Sequence, residues 1–508
     1  MESGARGEKP SELTSLRFSR PGSPFYGATG SRPVKKAPAP APHKTVSAGR
    51  AYGAVAVLCY VNLLLYTDWF IVAGVLQDIT AYFDISDSNA GLLQTVFICC
   101  FLVAAPLFGY LGDRYSRKAI MVAGIVLWSG VTLGSSFITE SYYWLFFLTR
   151  GLVGAGEASF STIAPTIIGD LFVKDKRTRI LGVFYVFIPA GSGLGYILGS
   201  SVAQATGDWR WALTITPGMA ALALVLLILV VPDPVRGAAD QVGGQSAAKT
   251  PWCDDVKSLC KNRSFVWSSL GVTAMAFVSG ALGFWAPVFL TRARIVLGNS
   301  CIHDLCSNAD SLIFGSLTVV TGILGVISGA EVARRYKKIN PKADPLICAG
   351  GMLASSPCLF IAIVVAQRSI LTAYIFIGLG ELLLSLNWAI VADILLYVVT
   401  PTRRSTAAAL QTMVGHLLGD AGSPYLIGII SDTIQDGRRD SQLRSFLSLE
   451  YSFMVCMFIG VLGGGCFLAT SLYVEEDRKK AQYFIEGAAE KGCLRAGDDR
   501  SKCDVPEG

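Results

Sequence analysis

The chain has 508 residues, 52% of them hydrophobic and only 16% charged, with a mean hydropathy of +0.50. A water-soluble protein of this length would carry about 25% charge, so a soluble enzyme is excluded, and the net charge of +6 has to be read by where it sits. The three histidines (His43, His303, His416) exclude multi-histidine metal sites, and Cys253 and Cys260 stand too far apart for a Cys-x-x-Cys clip.

Residues 1–48 are rich in Pro, Gly, Ser and Lys and have no apolar periodicity, so they are expected to be a disordered tail. No short apolar core with a small-residue cleavage site stands near the start, which leaves the first membrane span to act as the insertion signal. Twelve apolar runs follow, each long enough to cross a bilayer as a helix. They lie near 51–76, 90–112, 118–138, 142–170, 178–204 and 210–231, then 265–290, 311–333, 344–366, 370–398, 405–431 and 450–474. A polar segment, 232–264, separates the two sets of six. Its Gly/Ala/Gln content suits a linker, with a short amphipathic helix near 251–261. The expected organisation is therefore a bundle over 49–231, a linker, a second bundle over 265–475 and a tail over 476–508.

Lys and Arg set the orientation. The five turns on one side carry 19 of them and the six on the other carry 7. Both termini, linker and tails are thus expected in the cytoplasm, and the positive charge reports topology rather than nucleic-acid binding. Cys301 and Cys306 fall in an outer loop, where an oxidising environment would allow a disulfide.

Between the second and third spans stands Gly109-Tyr-Leu-Gly-Asp113-Arg114-Tyr-Ser-Arg117-Lys118. It resembles the G-x-x-x-D-R-x-x-R-K box of the major facilitator transporters. Gly329-Ala-Glu331-Val-Ala-Arg334-Arg335 is a degraded echo in the corresponding turn of the second half. Box and echo imply an all-α membrane protein with twelve transmembrane helices in two six-helix bundles, the major facilitator fold. Duplicated halves of this kind hold substrate near the midplane and rock against each other. Gly109, Asp113, Arg114, Arg117 and Lys118 of the box and Glu331, Arg334 and Arg335 of the echo are the expected conformational hinge, with Gly109 letting helix ends approach and Asp113 placed where the bundles meet.

Charges inside spans cost at least about 2.5–3.5 kcal/mol each, so each needs a partner or a purpose. Asp68 lies in the first span, Arg150 and Glu157 in the fourth, Glu381 and Asp393 in the tenth, and His416 and Asp420 in the eleventh. Arg150 and Glu157 are two turns apart on one helix face and either form a structural ion pair or bind substrate and protons in the cavity. Asp68 is expected to pair with Arg150. Glu381, Asn387 and Trp388 would give the second half polar and aromatic cavity groups, with plain packing the alternative for Trp388. Asp393 is expected to meet Arg403 or Arg404. His416 and Asp420 suit a proton relay or a hydrogen bond between helices. The fifth span, Gly191-Ser-Gly193-Leu-Gly195-Tyr-Ile-Leu-Gly199, carries the glycines that close helix packing needs.

Several longer strings resemble the spinster family of facilitator-type lipid transporters: Gly151-Leu-Val-Gly-Ala-Gly-Glu157-Ala-Ser, Ser161-Thr-Ile-Ala-Pro-Thr, Asn387-Trp-Ala-Ile-Val-Ala-Asp-Ile and Leu418-Gly-Asp-Ala-Gly-Ser-Pro-Tyr. That resemblance implies export of sphingolipids or lysophospholipids, the class of sphingosine, sphingosine-1-phosphate and lysophosphatidylcholine. It implies alternating access with protons as the candidate coupling ion and no other cofactor, in a plasma or endolysosomal membrane. It places Asp68, Arg150 and Glu157 in the polar core. The chain departs from the family where Asp-Arg is typical, having Asp68-Trp69. Trp69 offers no forked cation to a phosphate, which favours a zwitterionic lysolipid or a sphingoid base. The expected protein is monomeric. Two rival readings are a small-solute carrier on the same fold and a lipid-sensing scaffold without flux. An integral-membrane enzyme is disfavoured: there is no P-loop, no HExxH and no histidine box.

Overall fold

The computed structural model describes residues 47–172, 174–233, 252–298, 303–400, 403–435 and 441–496, all within one unit that starts at Val46. The first half holds α1 (Ala48–Gly74), α2 (Leu76–Phe83), α3 (Asp87–Arg114), α4 (Arg117–Ser135), α5 (Tyr143–Leu171), α6 (Lys174–Thr206) and α7 (Arg210–Val230). A short helix, α8 (Trp252–Lys261), stands where the amphipathic segment was expected. The second half holds α9 (Arg263–Val296), α10 (His303–Tyr336), α11 (Ala343–Val365), α12 (Ile370–Ser385) and α13 (Asn387–Val398). It closes with α14 (Arg404–Gly415), a π turn at His416–Asp420, α15 (Gly422–Gln435) and α16 (Gln442–Ala496). Of the expected tail at 1–48, residues 1–46 lie outside the described residues and Ala48 already begins α1; the Cys301–Cys306 disulfide also lies outside them.

Among the described residues ten helices are long and apolar enough to cross a bilayer. The twelve are completed by α5, which carries Arg150, Glu157 and Asp170, and by the α14–α15 run that the π turn divides. Polar residues set where helices begin. Ser86, Ser116, Asn262 and Ser369 each accept a bond from a backbone N–H in the first turn of α3, α4, α9 and α12, satisfying donors the helix leaves unpaired. Asn262, the first residue of a glycosylation-like Asn-Arg-Ser, is used in this way, and its amide also donates to the Val398 carbonyl at 2.8 Å.

Each half has its own apolar core. The first is built on Leu58, Phe97, Trp128 and Phe160, the second on Trp285, Phe446, Phe453 and Phe467. The halves meet where α6 packs on α10, α3 on α15 and α1 on α9. The glycines of α6 make this geometry. A Cβ on Gly191, Gly195 or Gly199 would come within 2.6–2.8 Å of backbone carbonyls on α1, and one on Gly193 would lie 2.4 Å from the Gly315 carbonyl on α10. One face of α6 is thus fitted to its own half and another to the opposite half.

The last helix does not end with its apolar run. α16 continues through Asp477, whose carboxylate accepts from the backbone and hydroxyl of Ser264 at 3.0 and 2.8 Å. The segment after residue 475 therefore begins as a structural part of the second bundle.

Candidate substrate site and gate

Asp68 is completely buried on α1. Its two carboxylate oxygens accept from the Trp128 indole at 2.8 Å and the Thr216 hydroxyl at 2.5 Å. The expected pairing with Arg150 is not formed: α4 and α7, packed beside α1 and α5, supply donors that occupy both oxygens. Trp128 and Thr216 are the site residues that sequence reasoning missed.

Arg150 makes no ion pair among the described residues, although Asp68 and Glu157 lie within its electrostatic reach. Its guanidinium lies over the Phe97 ring at 4.9 Å, a cation–π contact, and its buried Nη2 has no hydrogen-bond partner. Trp69 packs edge-on against the same Phe97 at 4.6 Å and stacks on Tyr66 at 5.8 Å. Trp69 thus builds the wall on which Arg150 rests. Glu157 is 1% exposed and both its carboxylate oxygens lack partners. The alternative of a structural Arg150–Glu157 ion pair is therefore not realised. Buried polar atoms are nearly always satisfied, and an exception calls for a proton, a solvent molecule or a ligand. Tyr66 lies within electrostatic reach of Glu157 and, across the interface, of Asp420.

In the second half Glu381 accepts from the hydroxyls of Thr321 at 3.0 Å and Thr318 at 3.4 Å, both on α10. The helix is interrupted after Glu381, at Leu386, where α12 gives way to α13. Gly329 of the echo motif sits against this point, and a Cβ there would lie 2.2 Å from the Leu386 carbonyl. Beyond the break Asn387 is fully buried with neither amide atom bonded, while Trp388 is 44% exposed. His416 Nδ1 and Asp420 Oδ2 are 2.6 Å apart. The bond spans one turn of a single helix rather than two helices, and it sits on the π turn, a distortion frequent at functional sites. Thr95 of α3 donates across to the Ala421 carbonyl beside it at 2.6 Å.

The box residues act within the first half. Arg117 pairs with Asp170 of α5. Lys118 donates to the Ile228 and Val231 carbonyls at the end of α7 at 2.6 and 2.9 Å, satisfying last-turn acceptors. Arg114 lies over the Tyr110 ring. Gly109 is not a site of forced approach, since a Cβ would meet Thr162 at an ordinary 3.5 Å. The side chain of Asp113 lies outside the described residues. In the echo, Glu331 pairs with Arg334 and Arg335 of its own helix. Asp393 meets Lys337 at 2.9 Å instead of Arg403 or Arg404, because Arg403 is taken by Asp255 of α8 at 2.7 Å.

The bond network between halves lies toward the other end of the molecule. Arg292 of α9 grips Asp87 at the start of α3 through both terminal nitrogens, at 2.6 and 2.9 Å. Ser431 adds a bond to Asp87 at 2.7 Å, and Gln435 one at 3.3 Å. Asp432 accepts from the backbone N–H groups of Asp87 and Ser88 at 3.1 and 2.9 Å, a carboxylate on a helix N-terminus. Arg292–Asp87 is the ion pair that joins the halves among the described residues. Tyr196 also donates to the Gly283 carbonyl across the interface. At the basic end the ion pairs described here stay within one half. This end-to-end asymmetry has no signature in sequence spacing.

The family model of the Major Facilitator Superfamily matches residues 58–424. The chain is 61% identical over 453 residues to protein spinster homolog 3 of Homo sapiens, covering 88% of each chain. It is 57% identical to protein spinster homolog 1 of Xenopus laevis, covering 87% of this chain and 84% of that one. Among solved structures, a bacterial homolog to the human lysosomal transporter Spinster, inward-facing and unoccupied, superposes with a TM-score of 0.71. It is 18% identical and covers 85% of this chain and 99% of that chain, a likeness of fold. Family model, sequence relatives and fold agree, and the chain belongs to the spinster family of Major Facilitator Superfamily transporters.

Proposed function

We propose that this chain moves a sphingolipid or lysophospholipid across its membrane by alternating access, as a monomer with both termini in the cytoplasm. The observation that carries this reading is the pair of buried, unpartnered groups on one face of α5, Arg150 Nη2 and both oxygens of Glu157. A polar headgroup supplies the acceptor that Arg150 lacks, and Glu157 takes a proton or a headgroup donor. Phe97, Trp69 and Tyr66 form the apolar wall beside them. The Asp87–Arg292 latch at the distal end suits a cycle in which the halves part at the basic end to admit substrate from the cytoplasm. Without the arginine typical of the family after Asp68, a zwitterionic lysolipid or sphingoid base suits the site better than a phosphomonoester. Export of labelled lipid by cells carrying the native chain, Arg150→Ala or Glu157→Gln tests the proposal. Loss of flux in both variants supports it, and native-level flux in both removes its basis.

A further inference from the structure

At the basic end, away from the central site, a cavity of about 230 Å³ opens among three separate segments. These are the end of α8, the connection that follows α13, and the part of α16 beyond its apolar run. Its charged lining is Lys261, Arg403, Lys480 and Asp477, with Leu259 and Val398 among its apolar walls.

The walls are bolted before any ligand arrives. Asn262 ties α8 to the Val398 carbonyl, Asp477 is engaged by Ser264, and Arg403 is held by Asp255 and Ser258, each at 2.7 Å. The one lining carboxylate is therefore largely occupied, and the cations outnumber it. Lys261 makes no ion pair among the described residues, and the exposed Lys480 meets Glu476 and the buried Asp477 of its own turn.

The level of the cavity indicates where its ligand comes from. α9 begins at Arg263 and α13 ends at Val398, so the cavity lies where spans leave the bilayer. Cations rest on aromatic rings nearby, Arg263 over Tyr473 and Arg478 over Tyr397, as expected at a membrane–water boundary. Basic pockets between helices on the cytoplasmic side recognise charged lipid headgroups. The N–H groups of Arg403 not used by Asp255 and Ser258 can meet a phosphate oxygen, and two ammonium groups add point charges. We propose that this cavity binds the phosphomonoester headgroup of an anionic membrane lipid, holding α8 against the second half.

The test uses the purified full chain in detergent, with dioctanoyl phosphatidylinositol 4-phosphate as probe and binding read by native mass spectrometry. Lys261→Ala with Lys480→Ala removes two lining cations while leaving the Asn262–Val398, Ser264–Asp477 and Arg403–Asp255 bonds in place, and is expected to weaken binding by about tenfold or more. Lys338→Ala, an exposed cation elsewhere at the same end, is expected to leave it unchanged. Unchanged binding in the double variant, or an equal loss in Lys338→Ala, overturns the site. Equal affinity for dioctanoyl phosphatidylserine overturns the phosphomonoester class. Equal affinity for inositol 1,4-bisphosphate overturns the lipid as the source.

Discussion

Replacing Arg292 by Ala removes the cation that joins the two halves at the distal end and leaves the Asp87 carboxylate with only Ser431 and Gln435. Breaking a fully buried ion pair costs about 3–5 kcal/mol. The Arg292 and Asp87 side chains keep 16% and 8% of their exposure, so about 2–3 kcal/mol is the appropriate figure. The penalty falls on the closed state, because both groups are hydrated when the distal ends part. At 1.4 kcal/mol per decade, the closed-to-open ratio should fall by about 30- to 150-fold. A distal end that is closed in 99 of 100 molecules would thus become open in a quarter to a half or more of them. Spin labels at Asn89 and Thr433, exposed positions flanking the latch, report the change as a second, longer distance in pulsed dipolar spectra of a cysteine-depleted chain. Arg292→Lys, which keeps the charge but not the fork, should fall between the two. An unchanged distance distribution in Arg292→Ala would refute the latch.

Other outcomes follow from the same contacts. Trp128→Phe or Thr216→Val leaves one oxygen of Asp68 unpaired in a dry site, at a cost of about 1–3 kcal/mol, and lowers the melting temperature of the purified protein. In an Asp68→Leu background the same substitutions should cost less, and equal costs would mean that Asp68 is not what they support. Gly193→Val drives a Cβ to 2.4 Å from the Gly315 carbonyl and should destabilise the seal between halves by at least about 1–3 kcal/mol. Gly218→Ala, with nothing within 4 Å, should melt as the native chain does. Trp69→Arg restores a forked cation beside the polar centre and should raise transport of phosphate-headed lipid relative to zwitterionic lysolipid by about tenfold. An unchanged ratio would remove Trp69 from the account of specificity.

Much of the architecture was legible because a bilayer leaves so few solutions. Apolar runs of bilayer length must be helices, and Lys and Arg sort the turns. The two-half plan showed in the box at Gly109–Lys118 and its echo at Gly329–Arg335, and the α6 glycines announced close packing. The side-chain partners were not legible. Asp68 was expected to seek the nearest intramembrane cation, yet it is satisfied by neutral donors 60 and 148 residues away in the chain, which carry no charge signal. Asp87 and Arg292 are separated by 205 residues and fall just outside the expected spans at 90–112 and 265–290. Asp393 meets Lys337, which α10 brings to 2.9 Å, while Arg403 is engaged by Asp255 of α8. Nor was the run of α16 past its apolar stretch legible: falling hydropathy after residue 474 says nothing of the helix, which continues with Asp477 bonded to Ser264 of α9.

The account rests most directly on the role of Arg150 and Glu157, and flux in purified proteoliposomes tests it. Labelled sphingosine, sphingosine-1-phosphate and lysophosphatidylcholine would be followed with the native chain, Arg150→Ala and Glu157→Gln, each first shown to be folded. Transport of one of these lipids, lost in both variants, is the predicted result. No transport of any of them by folded native protein, or transport that survives both substitutions, would contradict it.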